Sequence, residues 1–310
     1  MILTGIKPTG SFHIGNYIST IRPILNKDAI ILIADQHALI SNHINIKEHS
    51  LNLYKIFLSF GFKNIIRQSE LPEISELNWI LSCFTGIGFL NRSHAYKSSK
   101  EYNIINGFDE NKNINAGLFN YPVLMAADNA IFDTEYVAVG QDQLAHLETA
   151  NFIVNRFNHI YNVDILAIPK PMLSNAIILG YDGRKMSKSY NNTIPLFCSE
   201  EKLKKQVFSM KTNSKNVNEP KQFEESPVLD LFAAISSEVQ INVMKQMLND
   251  GIGWGDVKQI TFDILNNEIK EARDIYDGMV LRSVDCISDQ IDEIVYNVKQ
   301  KLKEIKQIIY

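Results

Sequence analysis

The chain has 310 residues, of which 45% are hydrophobic and 21% charged, and it carries a net charge of −4. That length is more than one small core needs and favours two domains, while the composition is that of an ordinary globular protein and the charge excludes a generally basic surface. No apolar run reaches the roughly 18 residues of a membrane span, and the opening MILTGIKP lacks a basic, apolar, small-residue leader, so the expectation is a cytoplasmic protein without membrane attachment.

In chain order, short β-rich runs at Ile2 to Leu3, Ala29 to Ile33, Ile65 to Gln68 and Tyr136 to Val139 alternate with amphipathic stretches, which predicts a parallel sheet with crossover helices. Leu51, Leu53, Tyr54, Phe57 and Leu58 recur at helical spacing and predict a covering helix over Glu48 to Phe60. Asn and Gly crowd Asn103 to Asn115, a predicted mobile loop, and a helical pattern resumes from Asn120. After Asn192 the β signal fades into helical stretches, interrupted at Thr212 to Pro227 and at Gly251 to Gly255, which places a domain change near residue 195. In the last segment Ile291, Ile294, Val295, Val298, Leu302, Ile305 and Ile309 form one apolar stripe, as on a docking helix.

Cys83, Cys198 and Cys286 lie far apart in sequence, and no His/Cys spacing suits a metal, so no metal site is expected. Between Arg184 and Lys221, nine Lys or Arg face three Glu, a local surplus that fits either a solvated helix and loop or a phosphate-facing surface.

Two segments carry the chemistry. After the first strand comes GIKPTGSFHIGN, where Pro8 stiffens a turn, Gly10 and Gly15 allow close approach, and a helix starting near His13 would aim free N–H groups at an anion. The second, GRKMSKSYNN, sets Lys185 and Lys188 three residues apart beside Ser187 and Ser189. Flexible ammonium groups follow a moving triphosphate and stabilise charge on a leaving pyrophosphate. Either segment alone also reads as an ordinary turn or a solvated loop.

With HIGN at His13 to Asn16 and KMSKS at Lys185 to Ser189, the chain resembles the class I aminoacyl-tRNA synthetases. Within them it resembles the tryptophanyl family, through ADQHA at Ala34, SELPEISELNWILSC at Ser69, NAGLFNYPVLMAAD at Asn115, VGQDQLAHLE at Val139 and GRKMSKS at Gly183. The resemblance implies a doubly wound, Rossmann-like catalytic domain to about residue 195 with a helical, dimer-forming insertion. A helical anticodon-binding domain over 196–310 is implied to follow. It further implies ATP with accompanying Mg2+, L-tryptophan, tRNA(Trp) and a homodimer.

Tyr121, Met125 and Asp128 stand at i, i+4 and i+7, so one helical face carries all three. Indole offers one N–H donor, which suits the Asp128 carboxylate, while Met125 packs its thioether on the ring. The resemblance assigns Lys185, Lys188 and His13 to catalysis. ATP contacts carried over to this sequence are Lys7, Pro8, Thr9, Gly15, Asn16, Gly140, Gln141, Asp142, Ala176, Met186, Ser187 and Ser189, with both lysines. It places Gln143 and Tyr121 near the substrate ammonium and His37 at the indole pocket. Lys97 and Lys100 stand where a lysine often meets ATP. The alternatives are a tyrosyl-tRNA synthetase, a small nucleotidylyltransferase, and a non-catalytic RNA-binding relative, the last expected to have lost a lysine of KMSKS.

Overall fold

The computed structural model describes residues 1–41, 44–174, 178–187, 190–223, 226–280 and 291–310. The chain folds into two compact units. The first comprises Met1–Gly10, Asn26–Ser174 and Leu281–Tyr310, and the second Ser11–Leu25 and Asn175–Val280.

The first unit is built on a five-stranded sheet: β1 Ile2–Ile6, β2 Ala29–Ile33, β3 Ile65–Arg67, β4 Tyr136–Gly140 and β5 Lys170–Ser174. All neighbours pair in parallel, in the order β3-β2-β1-β4-β5. β2 reads AIILI and is buried at every position, the unbroken apolar run of a strand covered on both faces. Register is fixed by Ile2 opposite Ala29 and Ile6 opposite Ile33 on one side of β1, and by Ile2 opposite Tyr136 on the other. The chain thus winds outward from β1 through β2 to β3 and then restarts at β4 on the opposite side, which puts the switch point between the carboxyl ends of β1 and β4. β5 is absent from the predicted strands, and the reason is physical. It is an edge strand, KPMLS, with a proline and no alternating pattern, as edge positions permit.

Helices cover the sheet. The predicted covering helix spans Ile46–Ser59, and its Leu53, Tyr54, Ile56 and Phe57 are buried. Val123, Ala126, Ala127 and Ala130 of the Ala116–Ile131 helix join one core with Leu77 and Leu81 of Pro72–Phe84 and Leu147, Val154 and Phe157 of Leu144–Tyr161. Small alanines let the Ala116–Ile131 helix approach its neighbours closely, and a fully buried Phe157 contributes about 1.5–3 kcal/mol. The last helix, Asp292–Ile309, adds Val298, Leu302 and Ile305 to the same core, and Ile294, Val295 and Ile309 of the predicted docking stripe pack half-buried against it. The stretch predicted as a loop starts on the last turn of the His94–Ile105 helix and continues as turns over 106–113, where the Asn103 amide donates to the carbonyls of Glu110 at 3.0 Å and Lys112 at 2.8 Å.

The second unit is helical. Glu200–Phe208 and Pro227–Ile235 pack against the long Trp254–Gly278 helix, burying Leu203, Val207, Leu231, Phe232, Leu265 and Ile269. Glu238–Asn249 starts on Ser237, whose hydroxyl accepts from the Gln240 N–H while the Gln240 side chain returns to the Ser237 N–H. Such a reciprocal cap satisfies two helix-end donors.

Candidate active site

In the first unit the carboxyl ends of the strands bring together the residues read as a tryptophan pocket. The Asp35 carboxylate, just past β2, accepts the N–H of Ser69 at 2.9 Å and also its hydroxyl, tying the end of β2 to the turn after β3. That tie sets His37 beside Gln68, whose Oε1 accepts the His37 N–H at 3.2 Å. Both side chains then reach Asp128 on the Ala116–Ile131 helix: Gln68 Nε2 donates to Oδ1 at 2.7 Å, and His37 Nε2 lies 2.9 Å from Oδ2. All three are buried, Gln68 completely. A carboxylate has about four acceptor positions, so these two bonds orient Asp128 and leave capacity for a further donor.

Two helical turns away, the Tyr121 hydroxyl lies 2.5 Å from His146 Nδ1, and its ring meets the His37 ring edge-on with centroids 6.4 Å apart. Burial pushes the Tyr121 phenol up to about 12. Met125 is half-buried against the same core. The predicted face of Tyr121, Met125 and Asp128 therefore exists, and it carries His37 with it.

In the second unit the HIGN turn is joined through main chain to Ile194, Pro195 and Leu196, the stretch that follows KMSKS. The helix begins with His13 as its cap and Ile14–Asn16 as its first residues. His13 Nδ1 accepts the Asn16 N–H at 3.2 Å and Asn16 Oδ1 accepts the His13 N–H at 3.2 Å. With Nδ1 accepting, the neutral ring carries its proton on Nε2. His13 bridges to Pro195, the Ile14 N–H donates to the Ile194 carbonyl at 2.8 Å, and the Leu196 N–H donates to Phe12 at 3.1 Å. Gly15 leaves room for close contact here: a Cβ would stand 3.1 Å from His13 Nδ1 and 3.3 Å from the Met186 sulfur, tight enough that one of them would have to shift. The methionine of KMSKS is thus packed on the HIGN turn, buried, while Lys185 beside it is exposed.

Other predicted positions are placed as follows. Lys7 is exposed and Pro8 buried at the end of β1, where the Thr9 N–H closes on the Lys7 carbonyl at 2.8 Å. Gly140 ends β4, and Gln141–Gln143 form the turn that follows, with Gln141 and Gln143 exposed. The side chain of Asp142, together with Ala176, Lys188 and Ser189, lies outside the described residues, as does Cys286. Lys97 and Lys100 pair with Glu101 at 3.7 Å and Glu110 at 3.3 Å. In the basic stretch, Lys202, Lys204 and Lys205 are exposed, whereas Lys221 is buried and gives its Nζ protons to the carbonyls of Asn216 at 2.7 Å and Glu219 at 2.9 Å.

Three residues were not read from the sequence as part of a site. Gln68 had a signal available, a polar side chain closing a predicted strand of a parallel sheet, at the carboxyl end where ligands bind. His146 stood in the quoted block VGQDQLAHLE but had no metal spacing, and its partner Tyr121 lies a whole strand away. Asn192, fully buried beneath the KMSKS segment, has no marker in the sequence beyond its place in an Asn pair.

The first unit thus carries a buried polar cluster at the carboxyl ends of a doubly wound parallel sheet, and the second a helix-start turn packed on a lysine-bearing loop. The model of the class I tRNA synthetases for W and Y matches residues 1–269. The tryptophan–tRNA ligase of Xylella fastidiosa is 40% identical over 298 residues, covering 92% of this chain and 68% of that protein. That of Pseudomonas aeruginosa is 38% identical over 320 residues, covering 98% and 70%. The crystal structure of tryptophanyl-tRNA synthetase from Campylobacter jejuni complexed with ADP and tryptophan superposes with a TM-score of 0.79 at 34% identity, covering 100% of this chain and 98% of that one. The chain belongs to the class I tRNA synthetases and, within them, to the tryptophan–tRNA ligases.

Proposed function

We propose that this chain activates L-tryptophan with ATP and transfers it to tRNA(Trp). Family membership supports the reaction, and the buried Asp128 carboxylate, oriented by Gln68 and His37, is the observation that supports tryptophan as the amino acid. In the first step a tryptophan carboxylate oxygen bonds to the α-phosphorus and pyrophosphate departs. In the second a terminal ribose hydroxyl of the tRNA attacks the carbonyl, and AMP leaves. Positioning and charge stabilisation carry such chemistry without a side-chain nucleophile.

On this reading Lys185, Lys188 and His13 stabilise the phosphates, with Gly15, Asn16, Met186, Ser187 and Ser189 lining their path. Lys7, Pro8, Thr9 and the 140–142 turn serve the rest of ATP, and Ala176 lends backbone to adenine. Asp128 takes the indole N–H, Met125 and His37 flank the ring, and Tyr121 and Gln143 face the ammonium. Mg2+ arrives on the ATP phosphates, because this ion keeps most of its waters and needs few protein ligands. The exposed lysines of Glu200–Phe208 suit a tRNA backbone, consistent with a tRNA-reading helical part over 196–310. Exposed Trp79, Ile87 and Phe152, at 72%, 70% and 52%, suit a homodimer contact of the helical insertion. Among the described residues no helix is long and apolar enough to cross a membrane, which accords with work in the cytoplasm.

Pyrophosphate exchange with each amino acid tests the reading. Exchange dependent on tryptophan is the expected result, and exchange with tyrosine alone would overturn it.

A further inference from the structure

The segment before KMSKS doubles back on itself. The Gly180 N–H donates to the Arg184 carbonyl at 2.8 Å and the Met186 N–H to the Ile178 carbonyl at 2.8 Å, so residues 178–180 and 184–186 form a short antiparallel ladder. Side chains alternate across such a ladder, which explains why Lys185 is exposed and Met186 buried. On the far side, the Asn192 amide bonds the turn that joins the two strands of the ladder. Asn192 is fully buried; its Oδ1 accepts the Ser187 N–H at 2.8 Å. Its Nδ2 donates to Asp182 Oδ1 at 2.7 Å and faces the carbonyls of Arg184 at 3.3 Å and Lys185 at 3.2 Å. Asp182 in turn accepts the Arg184 N–H at 3.0 Å and Arg184 Nε at 2.7 Å. On the other side, Gly180 lies so close that a Cβ there would stand 2.5 Å from both Nδ2 and the carbonyl oxygen of Asn192. The amide is therefore clamped between Gly180 and the turn of residues 182–187.

We propose that Asn192 is a positioning residue for adenylate formation: it fixes the rotation of the Lys185–Ser187 main chain, so that Met186 faces the Gly15 and His13 turn and Lys185 points outward. The proposal rests on the reading that Lys185 handles the ATP phosphates. Asn192 acts only through that main chain, since its amide is spent on protein groups. Aspartate at 192 keeps the shape and the acceptor for Ser187 but loses the donor, and turns a carboxylate toward Asp182 and two carbonyls. An unmet buried polar group and a like-charge contact both push the segment out of register.

The test measures tryptophan-dependent pyrophosphate exchange and, separately, equilibrium tryptophan binding without ATP. For Asn192→Asp, kcat is expected to fall about ten-fold or more, equivalent to about 1.4 kcal/mol. The tryptophan Kd should stay within about two-fold. The exchanged pair Asn192→Asp with Asp182→Asn restores a donor opposite an acceptor and is expected to recover part of the lost kcat, which a merely misfolded variant would not do. A wild-type kcat in Asn192→Asp would overturn the proposal. So would an equal loss of tryptophan affinity, which marks a general structural role, or an exchanged pair no faster than the single variant. A wild-type protein that exchanges with no amino acid would overturn the functional reading and this proposal together, whereas the other outcomes leave that reading standing.

Discussion

The phenol of Tyr17 donates to Glu268 Oε1 at 2.8 Å, and so ties the turn that follows HIGN to the middle of the Trp254–Gly278 helix. The same oxygen accepts Arg22 Nε at 2.6 Å, while the other Arg22 nitrogens hold the carbonyls of Ala234 and Ile235 at 2.9 Å, the end of the Pro227–Ile235 helix. Tyr17 is fully buried, and burial with the nearby Glu268 raises its phenol well above the usual range. Tyr17→Phe leaves Glu268 with its arginine and should cost about 1–2 kcal/mol in denaturant unfolding. Glu268→Ala removes the carboxylate that both the Tyr17 hydroxyl and Arg22 Nε bind and should cost about 2–3 kcal/mol. Equal midpoints for both variants and the parent would show that the triad contributes nothing.

Gly180 and Gly255 are expected to respond to alanine in opposite ways. At Gly180 the added methyl would collide with the Asn192 side chain and main chain at 2.5 Å, closer than any real contact. Neither backbone can yield without breaking the ladder, so Gly180→Ala should destabilise by about 2–4 kcal/mol, as overpacking and lost hydrogen bonds together do. Gly255 lies in the first turn of Trp254–Gly278 with nothing within 4 Å of its missing Cβ. There alanine should be neutral or stabilise by up to about 1 kcal/mol. Thermal unfolding of the two variants side by side decides it, and a Gly180→Ala protein as stable as its parent would contradict the packing described.

Alkaline unfolding should carry the mark of Tyr121. Its phenol stands at about 12 in the folded chain, above the usual value of about 10. The folded state therefore holds this proton more tightly than the unfolded one. The associated stability is complete below about pH 10 and is lost as pH rises through about 12. Between those limits the denaturant midpoint of the parent should fall more steeply than that of Tyr121→Phe, which has no phenol to titrate. Parallel slopes would mean that burial at this helix does not hold the proton.

The fold was legible where one physical cause acts along the chain. β2 announces itself because burial on both faces demands five apolar residues in a row, and the Asp292–Ile309 stripe because one helical face meets one core. β5 was not, since an edge strand is selected by its neighbour β4 rather than by its own pattern. In the site, Tyr121, Met125 and Asp128 could be grouped because the family resemblance picked out their block and helical spacing put them on one face. Gln68 and His146 could not, because their partners come from other elements and a hydrogen bond across 60 or 25 positions leaves no local trace. Likewise HIGN and KMSKS suggested a shared ligand, but nothing in either indicated that Met186 rests on Gly15 or that Asn192 underlies the KMSKS main chain.

Asp128 is where substrate choice should be measurable. Gln68 and His37 already satisfy one position on each carboxylate oxygen, so the group is not left bare when a ligand offers no donor. The loss of affinity for a tryptophan analogue lacking the indole N–H should therefore be about ten-fold, near the 1.4 kcal/mol of one hydrogen bond to a charged group, rather than the far larger penalty of a site whose buried polar groups go unpaired. Asp128→Asn replaces one acceptor with a donor that faces either the Gln68 amide or the His37 ring, and should weaken tryptophan by about ten- to a hundred-fold. The cycle of protein variant and ligand analogue isolates the contact: in Asp128→Asn the two ligands should bind with nearly equal affinity. Calorimetric titration of both ligands against both proteins gives the four values needed. If the variant weakens tryptophan and the analogue by the same factor, Asp128 shapes the pocket without reading the indole nitrogen, and the basis of selectivity must be sought at Met125, Tyr121 and His37.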